Sequence, residues 1–235
     1  MSKKLPSIKD ATGLAGSCVL VRASLNVPVA DAVVTNQFRI MRALPTLNFL
    51  RQAGAKVVVV AHIGRQKDDT LKPVFDVLEP LIPVTWCDQV IGDRATAAVA
   101  ALEPGEVLLL ENVRQDPRET ANDPELGEAL AALADIYVND AFAASHREHA
   151  SLVQTPKHIP AYVGFNFVHE YEEIMKTVEP ASPSLFMLAG AKFETKLPLV
   201  DKYASKYTDV FIGGALANDM FKAQGHEIGH SLTSD

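Results

Sequence analysis

Short apolar runs alternate with helix-period segments along this chain, and no other feature restricts its fold as tightly. Ser17–Val21, Lys56–Ala61, Val107–Leu110 and Ile136–Val138 read as strands. The unbroken run Val57-Val58-Val59-Val60 predicts a strand buried on both faces. Between the strands, Ile40, Ala43, Leu44, Leu47 and Leu50 carry a helical period that Gly54 stops, and Pro45 predicts a kink or an early turn within it. Pro73 opens a second helix through Val74, Val77, Leu78 and Leu81. Asp123-Pro124-Glu125 supplies an N-cap, a first-turn proline and an acidic first turn to a helix that buries Leu126, Leu130 and Leu133. Strand alternating with helix at this spacing predicts an α/β fold: a Rossmann-like parallel sheet covered by helices on both faces.

The pattern pauses and then restarts. Phe165–Val178 reads as a connecting helix, and Glu179-Pro180-Ala181-Ser182-Pro183 as a boundary. Beyond it come strand Leu185–Leu188, helix Thr195–Ala204, strand Val210–Ile212 and helix Leu216–Ala223. The predicted organisation is an N-terminal domain over 1–164, a linker over 165–183 and the start of a second domain over 184–235.

In an open parallel sheet, ligands bind beyond the carboxyl ends of the strands. Arg22, Ser24 and Asn26 follow the first strand; His62, Gly64 and Arg65 the second; Asn112 and Arg114 the third; Asn139, Asp140, His146 and Arg147 the fourth. One loop arginine is usually a solvated charge. Several at equivalent topological positions, in a chain of net charge -7, predict a basic cleft for a small polyanion. That net charge argues against nucleic acid as the main partner, and no apolar run is long enough for a membrane span. The two cysteines, Cys18 and Cys87, match no metal-ligand spacing, and no metal site is expected from the residues.

The second half carries a different signal. Each of its strands runs into a small-residue turn and then a helix, through Ala189-Gly190-Ala191-Lys192 and Gly213-Gly214-Ala215. Such turns let backbone N–H groups approach a phosphate, although glycine turns after strands are mostly structural. Lys192 and Lys196, one helical turn apart, add cations beside the first of them.

These residues fall into blocks that resemble the phosphoglycerate kinase family. Arg22-Ala23-Ser24-Leu25-Asn26-Val27-Pro28 is similar to its R-x-D-x-N-V-P, and Arg39-Ile40 through Ala43-Leu44-Pro45-Thr46 to its R-I-x-x-x-L-P-T. His62-Ile63-Gly64-Arg65 resembles H-x-G-R, and Leu110-Glu111-Asn112-Val113-Arg114 resembles L-E-N-x-R. Asn139-Asp140-Ala141-Phe142 with His146-Arg147 and His149-Ala150-Ser151 is close to N-D-A-F…H-R…H-A-S. Gly190-Ala191-Lys192, Lys196 and Gly213-Gly214 look like the opening of that family's nucleotide domain. In series, and in family order, the blocks are highly specific.

The resemblance implies a two-domain, hinge-bending kinase of glycolysis that moves a phosphoryl group reversibly between ATP and the carboxylate of 3-phosphoglycerate. It implies that Arg65, Arg114 and Arg147, assisted by His62 and Gly64, hold the substrate phosphate. Ser24 and Asn26 would contact the rest of the substrate, and Arg39 its carboxylate and the group in transit. Lys196 would reach the nucleotide phosphates with Gly190, Ala191, Gly213 and Gly214, and Lys192 the moving phosphoryl. Magnesium would travel with the nucleotide, and a cytoplasmic monomer with small-molecule partners is expected. Three departures stand out: Ser24 replaces the family's aspartate, Gln66 a proline, and Ala143-Ala144-Ser145 a glycine-containing segment. The family's later motifs do not occur before Asp235, so the second domain is expected to be incomplete in this chain. A catalytically impaired relative that binds a phosphorylated metabolite or a partner is the competing expectation.

Overall fold

A computed structural model describes residues 5–191 and 193–234. The chain divides into two compact units, Met1–Tyr171 and Glu172–Asp235. In the first, the elements run β1 (Cys18–Ala23), a short hairpin of β2 (Val29–Ala30) and β3 (Val33–Val34), α1 (Phe38–Gln52), β4 (Lys56–Val60), α2 (Lys72–Leu78), β5 (Val84–Cys87), α3 (Asp93–Ala100), β6 (Val107–Leu110), α4 (Pro124–Ala131), β7 (Ile136–Asp140), α5 (Ala150–Val153) and β8 (Ala161–Val163). The division falls within α6 (Phe165–Val178).

Six strands form one sheet in the order β5-β6-β4-β1-β7-β8, with every neighbouring pair parallel. Strand period two divides the core. Val19, Val21, Val57 and Val59 pack with Ile40, Leu47 and Leu50 of α1 and Val74 and Leu78 of α2. Leu20, Val58, Val60 and Leu108 face the other way, onto Leu126 and Leu130 of α4. Residues 57–60 are fully buried, as a strand covered on both faces must be. The chain leaves β1 toward β4 on one side and returns to β7 on the other, so strand order reverses at the centre. The crevice beyond the ends of β1, β4 and β7 lies at that reversal.

Several expectations need correction. The first strand extends two residues past Val21, which carries Arg22 into the sheet. The second helix ends at Leu78 rather than reaching Leu81, which is exposed. Pro45 lies in the middle of α1, not in an early turn. Elsewhere the local chemistry behaves as read: the Asp123 carboxylate accepts the Glu125 and Leu126 N–H groups at 2.8 and 3.1 Å and caps α4.

The start of α6 is held by two side chains from other elements. Thr46 Oγ accepts the Phe165 N–H at 3.0 Å, and Asp140 Oδ1 the Phe167 N–H at 3.1 Å, which satisfies two donors a helix start leaves open. Gly164 has no side chain because Asp140 fills the space a Cβ would occupy. Burial raises the Asp140 pKa from 3.8 to about 6, partly offset by the Phe167 hydrogen bond. The ionised form is therefore penalised in the folded state, and stability should rise as pH falls from above the folded value toward the unfolded one. Between about pH 7 and about pH 5, wild type should gain about 1 kcal/mol of unfolding free energy relative to Asp140→Asn. Parallel denaturation profiles for the two proteins would exclude Asp140 as the titrating group.

The second unit pairs β9 (Leu185–Ala189) with β10 (Asp209–Gly213) in parallel, each followed by a helix, α7 (Phe193–Tyr203) and α8 (Ala215–Ala223). Phe186, Tyr203 and Tyr207 form a ring cluster, with Phe186 5.6 and 5.3 Å from the two tyrosines. Only Leu188 and Leu216 are buried apolar side chains among the described residues of this unit, whereas Met187, Phe211 and Phe221 are exposed.

Candidate active site: a basic cleft and a pair of glycine turns

Beyond the sheet's carboxyl edge, Arg65, Lys67, Arg114, Gln115, Thr120, Arg147 and His149 line a cleft of about 530 Å³ with Pro117. All four cations, Arg65, Lys67, Arg114 and Arg147, come from loops after β4, β6 and β7, so the sheet itself sets their spacing. The loop after β4 is tightly fixed. Asn112, buried at the end of β6, donates to the Ile63 and Asp69 carbonyls at 2.9 and 2.7 Å and accepts the Ile63 N–H at 3.2 Å. Asp69 accepts the Arg65 and Gln66 N–H groups, both at 2.7 Å. Gly64, at φ +60°, donates to Asn26 Oδ1 at 3.0 Å and accepts from the Arg114 guanidinium through its carbonyl.

The electrostatics of the cleft favour negative charge. Arg65 and Arg147 enter no ion pair among the described residues. Arg114 Nε is buried without a hydrogen-bond partner. Burial first, then the like charges of Arg147 and Arg22, lowers the Arg114 pKa, and Glu119 opposes them. Arginine remains a cation under such shifts. A small dianion in the cleft would pair with these guanidiniums and relieve their repulsion together.

The expected site residues do not all share this cleft. Arg22 is wholly buried beneath the sheet edge rather than lining it. Arg39 NH1 donates to Ser24 Oγ at 3.1 Å, so these two form a separate pair outside the cleft lining. Asn26 is committed in part to the Gly64 N–H, and Asn112 is a structural clamp. Lys67, Gln115, Thr120 and His149 are absent from the expected set. Lys67 follows Arg65 by two positions, a charge signal that the sequence does carry; Gln115 and Thr120 have none.

In the second unit, the two glycine turns lie side by side. The Leu216 N–H donates to the Gly190 carbonyl at 3.1 Å, and a Cβ on Gly214 would come within 3.3 Å of Gly190 N and O. Gly214, at φ +63°, precedes α8 without a side-chain cap, so first-turn N–H groups are left without a capping side chain. Gly213 is buried, and Ala191 is exposed beside Gly190. Lys196 Cε would lie 3.8 Å from a Cβ on Gly190, which puts the lysine stem beside that turn. Lys192 lies outside the described residues.

The family model for phosphoglycerate kinase matches residues 8–235. The chain belongs to the phosphoglycerate kinase family. A phosphoglycerate kinase of Sinorhizobium medicae is 44% identical over 234 residues, and one of Methylorubrum extorquens 41% over 234. These alignments cover 96% of this chain, which spans 59% and 58% of those relatives' length. The solved phosphoglycerate kinase of Coxiella burnetii superposes with a TM-score of 0.87 at 33% identity, covering 99% of this chain and 60% of that one. The Pyrococcus horikoshii OT3 phosphoglycerate kinase gives 0.81 at 30%, over 96% and 59%. Among phosphoglycerate kinases, then, the matched region takes in both the basic cleft and the paired glycine turns.

Proposed function

We propose that this chain carries the 3-phosphoglycerate site of a phosphoglycerate kinase together with the opening of its nucleotide site. The observation that carries the reading is the cleft, where Arg65, Arg114 and Arg147 converge in an acidic protein without carboxylate partners of their own. Those three arginines hold the substrate phosphate, with His62 and Gly64 beside them. Asn26 and Ser24 contact the glycerate, and Arg39 meets the carboxylate that accepts the phosphoryl group.

On the nucleotide side, Lys196 and the Gly190-Ala191 and Gly213-Gly214 turns approach the phosphates, and Lys192 the group in transit. In the reaction, a carboxylate oxygen of 3-phosphoglycerate bonds to the γ-phosphorus of ATP while the bond from that phosphorus to the ADP oxygen breaks. The acyl phosphate forms, and the reverse step regenerates ATP. The protein's work is alignment and charge neutralisation, which suits a site built from arginines and backbone N–H groups rather than a nucleophile. Magnesium supplied with the nucleotide neutralises phosphate charge, and no residue of this chain is assigned to it.

Isothermal titration of the 235-residue chain with 3-phosphoglycerate should show saturable binding that weakens as ionic strength rises. Absence of binding at low salt would dispose of the reading.

A further inference from the structure

Beneath the cleft lies a buried polar cluster that the anion site does not itself use. Arg22, Glu119 and Ser151 are each fully buried. Arg22 Nε donates to Ser151 Oγ at 2.8 Å and NH1 to the Ala23 carbonyl at 2.8 Å. Its remaining terminal nitrogen, NH2, lies 2.8 Å from Nδ1 of His62. Glu119 is fixed in turn: it accepts the Ser151 hydroxyl at 2.6 Å and the Ser151 N–H at 2.8 Å, and it stands 4.0 Å from Arg22 NH2. So Arg22 is neither a free cation nor a cleft residue. Every side-chain nitrogen it has points at a defined acceptor.

That arrangement decides the state of His62. A guanidinium has only donors, so the Nδ1 it meets must be the lone-pair nitrogen, and the ring proton is left on Nε2. A protonated ring would place an N–H against an N–H inside the protein. Nε2 has no partner among the described residues and is not among the buried unpartnered atoms, which are Arg114 Nε and Asp140 Oδ2. Nε2 is therefore not fully enclosed, and its donor is uncommitted among the described residues. The surroundings agree: burial, then Arg22, Arg114, Arg147 and His149, lower the His62 pKa from 6.5 to about 2.

We propose that Arg22, anchored by Ser151 and Glu119, is a positioning residue that locks His62 as a neutral imidazole with its proton on Nε2. His62 thus keeps a directed, uncharged donor at Nε2 whose state does not change across the physiological pH range. This inference rests on the reading of the cleft as the 3-phosphoglycerate site, but its decisive measurement does not need that ligand.

The measurement is long-range ¹H–¹⁵N NMR of ¹⁵N-histidine-labelled full chain, without ligand, with His62→Gln identifying the His62 signals. Wild type should show His62 as a single neutral Nε2–H tautomer, unchanged between about pH 5 and about pH 8. A neutral Nδ1–H ring, or titration of His62 in that interval, overturns the proposal even if no variant folds. Arg22→Met should replace the single tautomer by a mixture and weaken 3-phosphoglycerate binding about tenfold, the loss of one well-formed hydrogen bond. Ser151→Ala, a smaller change that frees Arg22 Nε, should broaden the same signals in the same direction. A pure Nε2–H pattern persisting in folded Arg22→Met would also overturn it. If wild type shows the predicted tautomer yet binds no 3-phosphoglycerate, the positioning device stands and the proposed ligand falls.

Discussion

Gly64→Ala is expected to weaken 3-phosphoglycerate binding on the order of 100-fold, about 2.7 kcal/mol, while leaving the sheet intact. Gly64 sits at φ +60°, where an L-residue costs about 1–2 kcal/mol. That backbone cost alone would lower stability without touching affinity. The larger effect comes from the space: a Cβ at Gly64 would overlap the Asp69 carboxylate. Asp69 cannot move freely, because it accepts the Arg65 and Gln66 N–H groups and so sets the direction in which Arg65 leaves the loop. Gly64 also joins Asn26, through its N–H, to Arg114, through its carbonyl. One methyl group therefore displaces contacts to two of the three cleft arginines. Gly16→Ala is the matched control, since Gly16 has φ +78° and nothing within 4 Å of its Cβ position. Denaturation and titration calorimetry on both variants separate the effects. Gly16→Ala should lose stability only, and unchanged affinity in Gly64→Ala would reduce Gly64 to a turn residue.

The sequence exposes the frame of this protein more fully than its site. The valine run 57–60, the α6 span and the Asp123 cap follow from short-range rules, and each appears where those rules place it. Arg22 misleads because an arginine after an apolar run looks like the end of a strand. The distant His62, Glu119 and Ser151, 40, 97 and 129 positions along the chain, make its burial tolerable. The edge strand β5 and helix α3 escape a sequence reading for the opposite reason: they are short, four and eight residues, Thr85 is exposed, and α3 buries only Ala95. Among the cleft residues, those at strand ends are legible because topology brings strand ends together. Gln115, Thr120 and His149 come from the same loops as the arginines, but a neutral Gln, Thr or His in a loop carries no charge signal that marks it.

Arg114→Met should abolish most anion binding, with a loss on the order of 10²–10³-fold, yet change the unfolding free energy by less than about 1 kcal/mol. The two halves of that expectation have one cause. In the free protein, Arg114 donates to the Gly64 carbonyl but leaves Nε buried and unpartnered, with Arg147, Arg22 and Arg65 disfavouring its charge. An unmade buried hydrogen bond costs about 1–3 kcal/mol, so removing the guanidinium relieves a penalty while it sacrifices the Gly64 contact. A phosphate dianion in the cleft reverses the balance, because it turns the mutual repulsion of Arg114 with Arg147, Arg22 and Arg65 into shared attraction. The same logic says that Arg114→Lys will not rescue: an ammonium restores charge but cannot serve Gly64 and the ligand through two separate nitrogens. Arg118→Met supplies the contrast. Arg118 is already paired with Asp116, at 2.7 Å, and should change affinity less than about twofold. Thermal shifts give a second readout, since ligand at about 100 times Kd stabilises the wild type by about 2.7 kcal/mol. In Arg114→Met that stabilisation should fall below about 0.5 kcal/mol at the same ligand concentration. If Arg114→Lys binds like wild type, charge alone is what the cleft requires, and the planar fork of the guanidinium has no separate part in holding the anion.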